Sequence, residues 1–159
     1  MSVKDAYAAL AERLGYPNST RLRLILVYLM TPEQAQIAAA LPGSVAEVAQ
    51  RTGFAGERVK TELDALFVKG VTFPKDFDKR EYFRFAREIM QLHDATMATQ
   101  QLNLVQDRKL FELWYDFCIN EWYPSWGNCM ARMPQPMMPR SRLSTLEVFQ
   151  SPTKQEAGR

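Results

Sequence analysis

The sequence predicts a mainly α fold, a winged helix-turn-helix with a small β-hairpin wing and a C-terminal helical extension. Three observations support this prediction. Apolar residues recur at three- and four-residue spacing through most of the first 70 positions. Two short helical segments meet at a glycine-containing corner, GFAGE, and two short β-branched and aromatic segments follow them. The length of 159 residues suits one domain with an extension.

The first two predicted helices begin the core. The first is amphipathic and ends at Gly15. Its apolar face consists of Tyr7, Leu10, Ala11 and Leu14. Ser19 can cap the second helix, which contains a continuous apolar run from Leu24 to Met30. Such a helix has little polar face, so we expect it to be buried on most sides.

Two capping boxes mark the starts of the third and fourth helices. Thr31 is followed by Pro32 and, at the third position after the cap, by Gln34. Ser44 and Glu47 repeat that spacing. In each pair the two side chains can accept hydrogen bonds from backbone amides that have no partner within the helix. The third helix is expected to end at Pro42 and Gly43, and the fourth at Gly53.

The fifth helix and the hairpin complete the predicted winged helix. The helix ends at Gly70, and its apolar stripe is formed by Val59, Leu63, Leu66 and Phe67. VTF and EYFRF then favour two strands joined by the charged segment PKDFDKR, with Pro74 at the edge of the first strand. Two helices at a tight corner followed by a hairpin are typical of a winged helix.

Two further helices and an extended segment follow the hairpin. We expect a helix over 86–101 and another that is capped by Asp107 and stops before Pro124. After Gly127, methionines and prolines alternate in a segment that cannot continue a regular helix. The predicted organisation is a winged helix-turn-helix domain over 1–85, a helical extension with an aromatic helix and a Met/Pro strap over 86–139, and a polar, largely flexible tail over 140–159.

The predicted winged helix raises the hypothesis of DNA binding through its second helix and wing. From Arg51 to Met90, nine Lys and Arg stand against seven Asp and Glu, a net charge of +2. The exposed side of the second helix also includes Glu57 and Asp64, and carboxylates repel phosphates. A solvated face of mixed charge is therefore favoured over a DNA surface. If DNA is bound, the expected contacts are Arg58, Lys60, Thr61, Lys75, Lys79 and Arg80.

The sequence contains little material for catalysis or metal binding. The one histidine, His93, stands beside an aspartate inside an amphipathic segment, with no nucleophile motif. Cys118 and Cys129 are eleven positions apart, and no other His or Cys cluster completes a set of four ligands. We therefore expect no catalytic, cofactor or metal residues. A cluster that takes two thiolates from each of two subunits is the remaining alternative for the cysteines.

Aromatic residues are concentrated in the last predicted helix. Positions 111–126 hold seven aromatic residues, more than one helix face can bury. Core packing accounts for some of them, and the rest favour a protein interface, where Trp, Tyr and Met are enriched. The predicted interface residues are Trp114, Trp122, Tyr123, Trp126, Met137 and Met138.

Three longer segments resemble a known family: LMTPEQAQIAAALPGSVAEVAQRTGF, LFVKGVTFPKDFDKREYFRFAREIMQLHDATMATQQ and FELWYDFCINEWYP. They are similar to the N-terminal, winged-helix-like region of ferredoxin-type 4Fe-4S proteins of anaerobes, and the similarity runs from about Leu29 to Pro139. In that family, the clusters lie in a cysteine-rich part whose motifs this chain lacks, so no cluster ligand is carried over. The resemblance implies either a fragment of such a protein or a shortened relative.

Together these observations predict a noncatalytic interaction module associated with an iron–sulfur redox system, working as a homodimer or on a protein partner. A DNA-binding transcriptional regulator and an iron–sulfur protein with a shared cluster are the alternatives. The longest apolar run has seven residues, against about 20 for a membrane-spanning helix. The N-terminus lacks the apolar stretch of a secretory signal, so we expect a cytoplasmic protein.

Overall fold

The structure is a computed structural model that describes residues 3–99, 102–103 and 105–126. The described residues are mainly helical, with one small antiparallel sheet, which confirms the coarse fold prediction. In chain order they form α1 (Val3–Arg13), α2 (Thr20–Leu29), α3 (Pro32–Ala39), β1 (Gly43–Ser44), α4 (Val45–Thr52), α5 (Gly56–Val68), β2 (Thr72–Pro74), β3 (Tyr82–Phe85), α6 (Ile89–Met97), α7 (Arg108–Phe117) and a π turn (Cys118–Trp122).

The chain divides into two compact units, Met1–Asn120 and Glu121–Arg159. The domain boundaries predicted from the sequence, after residues 85 and 139, stay predictions. Of the second unit, the structure describes residues 121–126, so the predicted Met/Pro strap and the polar tail lie outside the described residues.

Local sequence signals determine where α2, α3 and α4 begin. The Ser19 hydroxyl accepts a hydrogen bond from the Leu22 amide at 2.9 Å, as its N-cap position requires. Both predicted capping boxes form, because Thr31 exchanges hydrogen bonds with Gln34 and Ser44 does so with Glu47. α4 ends at Gly53, whose φ of 77° lies in the left-handed region.

α4 and α5 are joined by a tight turn and lie beside the sheet. The three residues 53–55 connect the two helices. In the sheet, β3 is the central strand and the order is β1-β3-β2, with both pairings antiparallel. Gly43 pairs with Phe83, and Pro74 ends β2 opposite the same residue. Gly43 and Ser44 thus form a third strand, where the sequence predicted only a helix end and a cap.

The helices after the sheet differ from the prediction in two ways. α6 begins at Ile89, later than the predicted start at 86, because the Ala86 amide still bonds to the Val71 carbonyl beside the sheet. α7 leads into the π turn, and helical backbone continues from Tyr123 to Trp126 across Pro124. A π turn leaves one carbonyl without an amide donor, so a proline, which has no amide hydrogen, is tolerated there.

The core of the first unit is built from the inner faces of its helices and from β3. The largest fully buried side chains are Trp114, Phe83, Phe117, Leu10, Leu22, Ile25, Leu26, Ile37, Leu41, Leu63, Leu66 and Leu92. They come from widely separated parts of the chain, so the helices preceding the sheet and those following it share one core. Among the described residues, no helix is long and apolar enough to span a membrane.

Candidate functional site

The residues predicted to contact DNA lie on α5 and on the loop 75–81. Arg58, Lys60 and Thr61 occupy α5, and Lys75, Lys79 and Arg80 belong to the loop between β2 and β3. The loop is shaped by Asp76, whose carboxylate accepts hydrogen bonds from the amides of Asp78 and Lys79 at 2.9 and 3.1 Å. The structure therefore brings the predicted residues to two neighbouring elements.

Arg58 is held by two carboxylates. Its guanidinium bonds to both oxygens of Glu33, at 2.8 and 3.1 Å, and lies 3.1 Å from a Glu62 oxygen. The hydrogen bond from Arg58 lowers the pKa of Glu33, and the bond with Glu33 raises the pKa of Arg58. A guanidinium that already forms a two-pronged contact with a carboxylate is poorly placed to bind phosphate.

The other cations near α5 are also close to a carboxylate or a ring. Lys60 forms an ion pair with Asp64, one helical turn later. Arg80 lies 4.0 Å from the second oxygen of Asp64, and its guanidinium lies 4.9 Å from the centre of the Phe67 ring. In contrast, Lys75 and Lys79 are exposed and form no ion pair with any described residue. This surface therefore has little uncompensated positive charge, and what it has lies in the loop.

The outward face of α2 is an apolar strip on the protein surface. Leu24 is 55% exposed and Val27 53%, and the ring of Tyr28 is partly exposed beside them. The spacing of i, i+3 and i+4 places the three side chains on one helix face. We call these three residues the α2 strip. The sequence predicted that α2 is buried on most sides, and that prediction is wrong for this face.

Two polar contacts hold α2 against α7. Arg21, near the start of α2, pairs with Asp116 at 2.8 Å, and the Tyr28 hydroxyl donates to Asp107 at 3.2 Å. The start of one helix thus meets the end of the other, so the two run antiparallel. Burial, together with the Asp107 carboxylate, raises the pKa of Tyr28. The Asp107 carboxylate also accepts a hydrogen bond from the Asn103 amide. The sequence predicted that Asp107 caps α7, but its side chain forms no capping hydrogen bond.

The aromatic residues predicted for an interface divide between core and surface. Trp114 is only 1% exposed, and its ring packs against His93 and Phe117 at centroid distances of 5.0 and 6.0 Å. It lies on the inner face of α7, so the prediction that it meets a partner is wrong. Trp122 is also buried, whereas Tyr123 and Trp126 are more than half exposed. Met137 and Met138 lie outside the described residues.

His93 and Cys118 lie in packed surroundings. The His93 ring contacts Trp114 edge to face and bonds to Asp94 at 2.9 Å, so part of its surface is taken up by packing. Cys118 is buried on the turn that follows α7, and Cys129 lies outside the described residues. Within the described part of the chain, no group of three or more His, Cys, Asp or Glu could hold a metal ion.

A cavity of about 300 Å³ lies next to α2, α5, α6 and α7 and has one ammonium group in its wall. That group, Lys69 Nζ, donates to the Leu29 carbonyl at 3.0 Å and to the Gln34 side chain at 3.3 Å. Leu29 ends α2, where carbonyls have no partner within the helix. Lys69 therefore has a structural role, which capping the end of α2 explains.

No family model, no curated protein and no solved structure matches this chain. The resemblance to ferredoxin-type 4Fe-4S proteins accordingly stays a prediction from the sequence. Function is therefore inferred from the exposed surfaces of the chain itself. Two of them stand out: the α5 surface, whose cations are largely paired, and the α2 strip, whose apolar side chains are exposed.

Proposed function

We propose that this protein is a noncatalytic winged-helix module that binds another polypeptide through the α2 strip. The order of elements from α3 to β3 supports the winged helix, with a strand before the helix pair and a hairpin after it. The central position of β3, between β1 and β2, fits the same arrangement. In this proposal α5 is the second helix of the pair and the loop 75–81 is the wing.

The observation that carries the proposal is the apolar outward face of α2. A helix at the surface of a globular protein normally carries polar residues on its outer side. α2 buries Leu22, Ile25, Leu26 and Leu29 on its inner side and presents Leu24 and Val27 on the other. A helix that is apolar on both sides is stable in water when a second surface covers it.

The energetics suit a protein partner. Fully burying a side chain the size of Leu or Val contributes about 1.5–3 kcal/mol. Tyr28 adds a partly exposed ring whose hydroxyl is already fixed by Asp107, so little conformational freedom is left to lose on binding. Tyrosine at the centre of an apolar patch is a frequent energetic anchor of interfaces. The partner is a second copy of the chain or a different protein with an apolar surface.

Site-specific photo-crosslinking tests the proposal. The photoreactive residue p-benzoylphenylalanine replaces Leu24 in one variant and Gln50, an exposed residue of α4, in the control. After irradiation in the native host, mass spectrometry identifies crosslinked peptides. We expect crosslinks to another polypeptide from position 24 and not from position 50, and Leu24→Glu should abolish the complex when light scattering is used to measure it.

Two results would contradict the proposal. Crosslinks from position 24 that stay within one molecule, with no product above monomer mass on a denaturing gel, would show that the chain covers its own strip. Equal crosslinking from both positions would show that contact at the strip is not specific. The predicted association with an iron–sulfur redox system is a separate proposal that rests on the sequence resemblance, and the identity of the crosslinked partner tests it.

A DNA-binding regulator is the second candidate function. The observation in its favour is that Lys75 and Lys79 in the wing loop form no ion pair with a described residue. The pairing of Arg58 and Lys60 on α5 stands against it, because the helix that would enter the major groove has its cations neutralised.

A further inference from the structure

A groove of about 530 Å³, which shares no lining residue with the α2 strip, lies between the end of α1, the residues before β1, and β3 with the residues after it. Its polar side chains are Arg13, Tyr82, Arg84 and Arg87. Its apolar wall consists of Leu41, Pro42, Phe85 and Ala86. Three arginines and no acidic residue therefore line a groove whose accessible surface is mostly apolar.

The positive charge of this groove has no internal counter-charge. None of the groove's lining residues is an aspartate or glutamate, and none of the three arginines forms an ion pair within 4.0 Å of a described carboxylate. Arg21 and Arg58 each bond to a carboxylate at 2.8 Å, whereas Arg23 and Arg51 bond to backbone carbonyls. What distinguishes the groove is that three arginines without a carboxylate partner line one cavity.

Neutral acceptors hold two of the arginines in place. Arg13 donates to the Leu41 and Ala39 carbonyls at 2.8 and 2.6 Å. Arg84 lies 4.8 Å from the centre of the Phe73 ring and donates to the Gln91 side chain at 2.8 Å. These contacts fix the guanidinium groups and leave their charge uncancelled, so the site is organised before any ligand binds.

Arg87 is the third arginine of the groove and adds a further positive charge. The Arg87 side chain is exposed and has no hydrogen bond to a described residue, while its backbone amide bonds to the same Gln91. Burial lowers the pKa of Arg84, and the charge of Arg87 lowers it further. The two guanidinium groups thus repel each other, and this repulsion is relieved when an anion lies between them.

From this arrangement we propose that the groove binds a phosphate-bearing small molecule through a dianionic or polyanionic phosphate group. Three positive charges favour a ligand with more than one negative charge. Guanidinium groups match phosphate oxygens with paired hydrogen bonds. The apolar wall and the Tyr82 ring leave room for the organic part of the ligand. This site is independent of the proposed protein interface.

Isothermal titration of the full chain with inorganic pyrophosphate at low salt tests the site. Arg87→Gln is the informative variant, because that side chain holds no other part of the fold in place. Lys79→Gln is the matched control, since it removes the same charge from an exposed loop outside the groove. We expect Arg87→Gln to weaken pyrophosphate binding by about tenfold or more and Lys79→Gln to leave it unchanged. Unfolding temperatures of both variants confirm that they are folded.

Three results would overturn the proposal. The native protein could fail to bind pyrophosphate at millimolar concentration, or both variants could lose affinity equally, which would indicate general attraction to a cation-rich surface. In a second titration, duplex DNA competes with pyrophosphate. If DNA displaces pyrophosphate when its concentration, counted in phosphate groups, is below that of pyrophosphate, the groove binds a nucleic-acid backbone instead of a small molecule.

Discussion

At the scale of single residues, both the backbone conformation and a close contact at Gly70 disfavour any residue with a side chain. Its φ is 78°, and an added Cβ would lie 2.5 Å from the carbonyl carbon and oxygen of Ala95 in α6. Gly53 has nearly the same φ, 77°, but a Cβ there would meet nothing within 4 Å. The two glycines share the conformational requirement and differ only in the contact with α6.

This difference yields a matched prediction. Gly53→Ala should cost about 1–2 kcal/mol of unfolding free energy, because only the left-handed backbone disfavours a side chain. Gly70→Ala should cost about 1–3 kcal/mol more, since α6 must also move. Urea denaturation of both variants measures the difference. Equal losses would show that α6 yields without cost and would contradict the tight packing of α5 on α6.

The sequence marks both glycines as helix ends but does not show the contact at Gly70. A left-handed C-terminus is signalled locally by glycine itself. The Ala95 contact joins residues 25 positions apart, and it follows from the packing of two helices. The same reason explains why the Arg58 and Glu33 pair was not predicted, although both residues were visible as charges.

At the scale of elements, capping residues predicted the helix starts correctly, whereas elements that depend on contacts between distant residues were missed. The capping boxes at Thr31 and Ser44 were predicted because all of their atoms lie within four residues. β1 was missed because its two residues become a strand only by pairing with Tyr82 and Phe83. The exposed face of α2 could have been suspected, since an apolar run without a polar face requires cover on two sides.

The capping box of α4 predicts a pH dependence of stability. Hydrogen bonds from the Ser44 amide and hydroxyl lower the pKa of Glu47 in the folded protein. The unfolded chain therefore takes up a proton on Glu47 at higher pH than the folded protein does. The stabilisation is complete above the unfolded pKa of about 4.3 and is lost as the pH falls through the lower folded pKa.

Glu47→Gln keeps an acceptor at the same position and removes the titration. Between about pH 6 and about pH 3, the native protein should lose more unfolding free energy than this variant does. Urea denaturation at both pH values measures the two losses. Identical losses in the two proteins would mean that Glu47 titrates alike in the folded and unfolded chains, against the observed hydrogen bonds.

At the scale of the whole molecule, charge is distributed unevenly although the net charge is only +2. The α5 surface pairs most of its cations, whereas the groove of Arg13, Arg84 and Arg87 has no carboxylate in its lining. The sequence showed the balance of charges along the chain and therefore disfavoured DNA binding. It could not show the groove, because its arginines come from α1, β3 and the segment after β3 and meet only in the folded protein.

This distribution predicts how the protein behaves with DNA. Phosphate binding at n cations makes affinity fall steeply with salt, in proportion to n. With Arg58 and Lys60 already paired, we expect fluorescence anisotropy to detect only weak binding of a labelled duplex at about 50 mM salt and none at about 200 mM. Lys60→Glu and Arg80→Glu should then change little. Tight binding that Lys60→Glu weakens about tenfold would instead establish α5 as a DNA-contacting helix, and the same loss in Arg80→Glu would assign the contact to the loop 75–81. In either case the ion pairs would have to open to release those cations to phosphate.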